Sequence, residues 1–250
     1  MRRTLSSLGR TLLAASLLAA TGCAAHQPST LPTYPGLDDA AALGVLAERA
    51  ASVKTLSAQC DLTLTRADGQ SVQLDGAIAI APHDRLRLRA WKFGQAVFDL
   101  TLTPEGMWVM APDDPNRREK VLPASLSAAQ FGREWAMLNG GFFLQSDLTT
   151  SGDAKWLDVR RRVEDGRTIL CRVDRATLTP RHYEMRDTEG VIRLRLALTN
   201  YQLVNGTPWP MKLNARNGDG RIDIRLKEAE LNQDLPPNAF KPPRRAEKHE

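Results

Sequence analysis

Residues 56–102 read LSAQCDLTLTRADGQSVQLDGAIAIAPHDRLRLRAWKFGQAVFDLTL, and the apolar positions recur with a period of two almost throughout. Leu56, Ala58, Cys60, Leu62 and Leu64 alternate with polar neighbours, and Asp68-Gly69 supplies a hairpin turn. The return strand carries Val72, Leu74, Ile78 and Ile80 on one face and stops at Pro82. Leu86, Leu88 and Ala90 then alternate with Arg85, Arg87 and Arg89, which gives a strand one apolar and one cationic side. Ala96, Phe98, Leu100 and Leu102 share the next apolar face, and a turn over Pro104 to Gly106 leads into Met107 to Met110. One-sided alternation joined by short turns predicts an antiparallel meander with one face buried.

Upstream of it the period changes to that of a helix. Asp38 or Asp39 suits an N-cap, and Leu43, Leu46, Ala47, Ala50 and Val53 recur at helical spacing through about residue 55. Downstream, Asp113 to Asn116 form a polar loop, and Ser125 to about Leu138 read as a second helix bearing Phe131, Trp135 and Leu138. Gly140-Gly141 ends it, and Phe142, Phe143 and Leu144 follow directly. A second meander comes next, with strands over 156–163, 168–174, 180–187, 191–203, 211–217 and 221–231. Helices carrying large apolar groups must lie on the sheet to bury them. The predicted fold is mainly β (α+β): a curved antiparallel sheet of about eleven strands forming an unclosed half-barrel with a helical lid.

Charge excludes one function class. The chain of 250 residues has a net charge of +5, but Arg2, Arg3 and Arg10 lie in the first ten residues. In the last ten, Lys241, Arg244, Arg245 and Lys248 outnumber Glu247 and Glu250. The body over 23–240 has no basic excess with which to neutralise phosphates, so nucleic acid is not expected as a partner.

The N-terminus carries an export pattern. Arg2, Arg3 and Arg10 precede an apolar run from Leu12 to Ala20, too short to span a bilayer, and Ala20-Thr21-Gly22 places small residues before Cys23. This resembles the lipobox cut by signal peptidase II, with Ala20 where leucine is commoner. The resemblance implies a signal peptide over 1–22 and lipidation of Cys23, palmitate being one such chain. Ala24 at the second mature position implies, in enteric-type bacteria, release to the outer membrane. The alternative is an ordinary secretory signal cut a few residues away; both readings export the protein. Residues 23–36, with Pro28, Pro32 and Pro35, form an acylated tether; 37–240 form the folded domain; 241–250 form a basic tail expected to be disordered.

Chemistry-bearing residues are sparse. His26, His83, His182 and His249 have no metal-ligand spacing, no glycine-rich phosphate loop follows a strand, and neither Cys60 nor Cys171 stands in a nucleophile signature. No enzymatic activity, metal or cofactor is therefore expected. Cys60 and Cys171 each lie on the apolar side of a strand, consistent either with a bridge across the interior or with two small buried hydrophobes. Asp99 interrupts an apolar hairpin and is expected on the solvent face with Val97 and Thr101. The stripe of Arg85, Arg87 and Arg89, echoed by Arg193 and Arg195, reads as a solvated sheet face balanced by nearby carboxylates, or as a contact for anionic headgroups.

Three local patterns carry a family resemblance. The first is a helix followed by Leu56-Ser57-Ala58, Gly76 in the return strand, and Pro82-His83-Asp84-Arg85-Leu86-Arg87-Leu88. The second is the hairpin Trp91-Lys92-Phe93-Gly94 leading into Phe98-Asp99-Leu100; the third is Trp209-Pro210, a turn with Gly220, Ile222 to Leu226, Glu230-Leu231-Asn232 and Phe240. Together they resemble the LolA/LolB superfamily of lipoprotein-localisation proteins and its uncharacterised lipoprotein relatives, over most of residues 38–240. The hairpins over 156–187 are more similar to those relatives than to LolB.

The resemblance implies an unclosed barrel with a helical lid that holds acyl chains between them, as a lipid or lipoprotein carrier or acceptor on the periplasmic side of the outer membrane. Leu62, Leu74, Ile78, Leu88, Phe98 and Trp135 are the expected cavity lining. Phe93 and Trp91 occupy the hairpin where LolB carries a membrane-active leucine, and are the expected membrane or partner tip. The other function class compatible with these residues is a structural or sensory module whose rim binds another envelope protein.

Overall fold

A computed structural model describes residues 30–81, 84–110, 140–163, 165–217 and 220–249. Helix α1 spans Asp39–Ser52, where the Asp38 carboxylate accepts a hydrogen bond from Ala41 N at 2.8 Å and so closes the first turn. It ends at Val53, whose backbone returns to the extended region. The apolar spacing predicted this helix, and Ala42, Leu46 and Ala50 are the residues it buries.

Among the described residues thirteen strands form one antiparallel sheet. The first five are β1 (Leu56–Arg66), β2 (Ser71–Ala81), β3 (Arg85–Lys92), β4 (Gln95–Thr103) and β5 (Gly106–Met110). A short 3-10 helix, Gly141–Leu144, precedes β6 (Thr149–Gly152), β7 (Trp156–Arg162), β8 (Thr168–Asp174) and β9 (Thr179–Arg186). The remaining strands are β10 (Ile192–Val204), β11 (Thr207–Asn217), β12 (Gly220–Leu231) and β13 (Glu247–His249). Their order is β13-β5-β4-β3-β2-β1-β12-β11-β10-β9-β8-β7-β6, so among the described residues β13 and β6 stand at the two ends and the sheet does not close. These are the eleven expected strands plus two short ones at the edges. The second helix expected over residues 125–138 lies outside the described residues.

Register turns the alternation into continuous apolar rows. Met107, Leu102, Leu86, Ile80, Leu56 and Leu231 stand side by side across β5, β4, β3, β2, β1 and β12, and all six are buried. A parallel row, Leu74, Leu62, Ile224, Leu213 and Leu198, carries the same inner face from β2 through β10. Gly76 is closely packed in this fabric: a Cβ there would lie 2.8 Å from both Cys60 Sγ and Leu62 Cδ1, so those side chains would have to shift to admit one.

The apolar residues divide into two clusters. The first covers the β1–β5 half with β12 and includes Val53 and Trp209. The second joins α1 and the 3-10 helix to β7–β10 through Ala42, Leu46, Phe142, Leu157, Tyr183 and Leu196. Cys60 belongs to the first cluster and Cys171 to the second; both are buried free thiols, the second of the two readings above.

The outer face departs from expectation in one place. Asp99 was expected in solvent, yet it is only 3% exposed and Thr101 is fully buried. The chain after β12 is the reason. It crosses the outer face, where the backbone carbonyls of Asn238 and Ala239 accept hydrogen bonds from Arg87 Nη1. It then adds β13 to the edge of β5, so the tail expected to be disordered contains a paired strand at Glu247–His249.

Candidate functional site

Of the expected cavity residues, Leu62, Leu74, Ile78 and Phe98 are buried in the first cluster and Leu88 packs partly buried against it. They share the inner face, in adjacent rows. Trp135 and Cys23 lie outside the described residues. At the tip, Phe93 is 93% exposed, whereas Trp91 is half-buried. Phe93 and Gly94 take φ of 51° and 75°, the paired left-handed conformation of a tight hairpin turn, and Lys92 Nζ sits 5.6 Å from the Phe93 ring centre.

A cavity opens elsewhere on the inner face, at the seam between the two clusters. It is lined by Leu46, Arg49, Ala50 and Val53 from α1 and its cap, Gly140 and Phe143, Pro180 and Tyr183 of β9, Leu198 and Tyr201 of β10, and Thr207 to Pro210 of β11. None of the five described residues expected in the cavity lines it, although its Val53 and Trp209 belong to their cluster.

The local sequence explains the gap. The β11–β12 ladder runs from Lys212↔Arg225 to Asn217↔Gly220, leaving Thr207 to Met211 without a β12 partner. Pro208 and Pro210 have no N–H to donate, so they suit a half-strand paired with β10 on one side only. Asn205 Nδ2 bridges the split by donating to Leu231 O at 2.6 Å. Two prolines inside a strand pattern were the sequence signal for this site. The expected strand began after them, at Met211.

The walls are aromatic and held in place. Phe142 meets Phe143 and Tyr183 edge to face, with ring centres 5.3 Å and 5.6 Å apart. Tyr201 Oη donates to Pro180 O at 2.5 Å, and burial pushes the ionisation of Tyr183 and Tyr201 well above the ordinary phenol value. Both phenols stay neutral. The cavity holds about 60 Å³ as it stands. Pockets that enclose a small organic ligand are roughly 300–1,000 Å³.

Helix α1 forms one wall of the cavity and is latched at both ends. Asp39 receives Arg175 Nη2 at 2.5 Å, and this guanidinium holds the carboxyl below its ordinary range. Arg49 Nη1 donates to Leu178 O at 2.5 Å. At the C-terminal end, Asn232, with φ of 60°, donates from Nδ2 to Ser52 O while its Oδ1 accepts from Lys54 N at 2.7 Å. Between these anchors the helix buries Ala42, Leu46 and Ala50 and packs Leu43 and Val45, partly buried, against the second cluster.

Among the described residues no three His, Cys, Asp or Glu side chains come together as a metal site, and no helix is long and apolar enough to cross a membrane.

No protein-family model and no curated protein matches the chain. Solved structures do. A DUF1329 family protein from Desulfovibrio piger superposes with a TM-score of 0.60 at 11% identity, over 81% of this chain and 96% of that one. A LolA superfamily protein from Nitrosomonas europaea follows at 0.54 and 12%, over 80% and 97%. A domain from Vibrio parahaemolyticus described as an outer membrane lipoprotein-sorting protein gives 0.53 and 13%, over 80% and 95%. The fold is thus LolA/LolB-like, an unclosed sheet with a helix across its inner face. At these identities the likeness is one of fold.

Proposed function

We propose that the protein is a lipoprotein, held at the outer membrane through an acylated Cys23 and facing the periplasm, that takes an acyl chain between α1 and the inner face of its sheet. It acts there as a carrier or acceptor of lipid or lipoprotein. The observation that carries this reading is the aromatic cavity at the seam of the two clusters, walled on one side by a helix with three buried residues. Each buried methylene contributes about 0.8 kcal/mol, so ten of them, ~8 kcal/mol, exceed the ~2–3 kcal/mol at stake in exposing a lid leucine. The exchange of lid for ligand needs no covalent chemistry.

The present volume favours a second reading. A cavity of about 60 Å³ is one that the protein's own side chains have nearly filled, as in a module that binds an envelope partner at its rim. One measurement separates the two. Native mass spectrometry of the soluble form lacking residues 1–23 is expected to show co-purified lipid that a fluorescent fatty acid displaces. A dry protein unresponsive to the fatty acid would sink the carrier reading and leave the module.

A further inference from the structure

Arg49 stands apart from the other partly buried arginines. Arg87 holds Asp99 at 2.8 Å, Arg172 holds Asp158 at 2.7 Å, and Arg175 holds Asp39 at 2.5 Å. The contacts of Arg49 are with neutral groups: Leu178 O at 2.5 Å, Tyr34 Oη at 3.4 Å, and the Tyr34 ring at 5.9 Å from its centre. Among the described residues no carboxylate lies within salt-bridge distance of it, and it is the single charged residue lining the cavity. A guanidinium has five N–H donors in a planar fork, and one whose contacts among the described residues are neutral keeps donors for an anion. Arg181, 5.6 Å from the Tyr201 ring centre, is ion-paired with Asp174 at 3.5 Å and so leaves Arg49 as the cation of this wall. Arg49 and Arg181 are also the two groups that favour ionisation of the Tyr201 phenol against its burial.

An apolar chamber with a guanidinium in its wall whose contacts among the described residues are all neutral has the polarity of one ligand class. We infer that the cavity is built for an amphiphile with an anionic head, whose carboxylate or phosphate oxygens take the Arg49 fork while its alkyl chain lies along Phe143, Tyr183, Leu198 and Trp209. The head exchanges the Leu178 carbonyl for itself on the guanidinium, so binding the head also undoes the contact that ties the end of α1 to the sheet. This rests on the reading of the cavity as an acyl site and adds the charge of the head to it.

The test uses the full chain, seated by its anchor in phosphatidylcholine vesicles at pH 8.5. A photoreactive palmitate and the matching photoreactive hexadecanol are crosslinked in parallel, and labelling is mapped to the peptide containing Trp209. Wild type is expected to prefer palmitate about tenfold, which corresponds to ~1.4 kcal/mol. Arg49→Gln is expected to lose that preference while still taking up the alcohol, and Arg49→Lys to retain most of it. Loss of the α1 contact alone would move both probes together and leave their ratio unchanged. Competition by unlabelled hexadecyl phosphate against palmitate identifies whether the preferred head is phosphate or carboxylate. Equal labelling by both probes, or a preference that survives in Arg49→Gln, overturns the anionic head and leaves the acyl site. No labelling by either probe overturns both.

Discussion

Arg87 clasps Asp99 in a two-pronged ion pair, Nε to Oδ1 at 3.0 Å and Nη2 to Oδ2 at 2.8 Å, beneath the C-terminal segment of the chain. Arg89 Nε approaches the same carboxylate at 3.3 Å, and the carbonyls of Asn238 and Ala239 close over Arg87. With its side chain 4% exposed, Asp99 has no water to turn to. Removing one partner of such a pair strands the other charge, at a cost of about 3 kcal/mol. Asp99→Ala is expected to lower unfolding stability by that order in urea and to make residues 236–249 cleavable by protease in the folded state. A variant with wild-type stability and a resistant tail would show that the pair does not hold the strap.

Asp99 also marks how far the sequence could be read. Strand period and turn residues are local, so β1–β5, α1 and the inner face were all legible from Leu56 to Leu102 and from Leu43 to Val53. What covers the outer face was not, because Asn238 meets Arg87 across 151 residues and nothing in a proline-rich basic tail announces it. β6 (Thr-Thr-Ser-Gly) and β13 (Glu-Lys-His) have no apolar side; backbone pairing alone defines them. The cavity at the seam was not legible for a related reason. Alternation tells which face of a strand is inner, and correctly grouped Leu62, Leu74, Ile78, Leu88 and Phe98. It does not tell where facing elements fail to fill the space between them. That depended on Pro208 and Pro210, whose missing donors split β11 from β12.

Asp158 provides a pH dependence with a definite sign. Arg172 Nε and Nη2 reach its two oxygens at 2.7 Å and 2.8 Å and hold its carboxyl below the ordinary 3.8. A carboxyl depressed in the folded state stabilises fully above its unfolded value, and that stability is lost as pH falls through the folded value. Stability measured in urea should therefore hold between pH 7 and about 5 and decline below about 4. Asp158→Asn should be less stable at pH 7 and show a shallower decline in that acid window. Parallel curves for the two proteins would contradict this assignment.

The two buried cysteines should be chemically silent. Burial pushes the Cys60 thiol up to about 12 and the Cys171 thiol higher than its ordinary value, so neither supplies thiolate at pH 8. Iodoacetamide is expected to leave both unmodified in the native protein and to label both in urea without a reductant. Labelling before unfolding, or a mass consistent with a bridge between them, would show the packing of one cluster to be wrong.

Phe93 is placed against its own conformational preference. A left-handed φ costs a non-glycine residue about 1 kcal/mol, and a ring 93% exposed recovers none of that by burial. Asparagine tolerates this backbone better. Phe93→Asn is therefore expected to be as stable as wild type or slightly more so, by up to ~1 kcal/mol. Phe93→Glu is expected to stop transfer of lipid to vesicles without unfolding the domain. Normal transfer by Phe93→Glu would remove the tip from the account.

The most direct test of the acyl site is tryptophan quenching by a brominated fatty acid. Trp209 lines the cavity and is 8% exposed, so only a ligand that has entered between α1 and β9–β11 can touch its ring. Bromopalmitate is expected to quench a saturable part of the wild-type emission, and that part should be absent in Trp209→Phe. Quenching that is equal in the two proteins, or none in wild type, would contradict an acyl chain held in this seam.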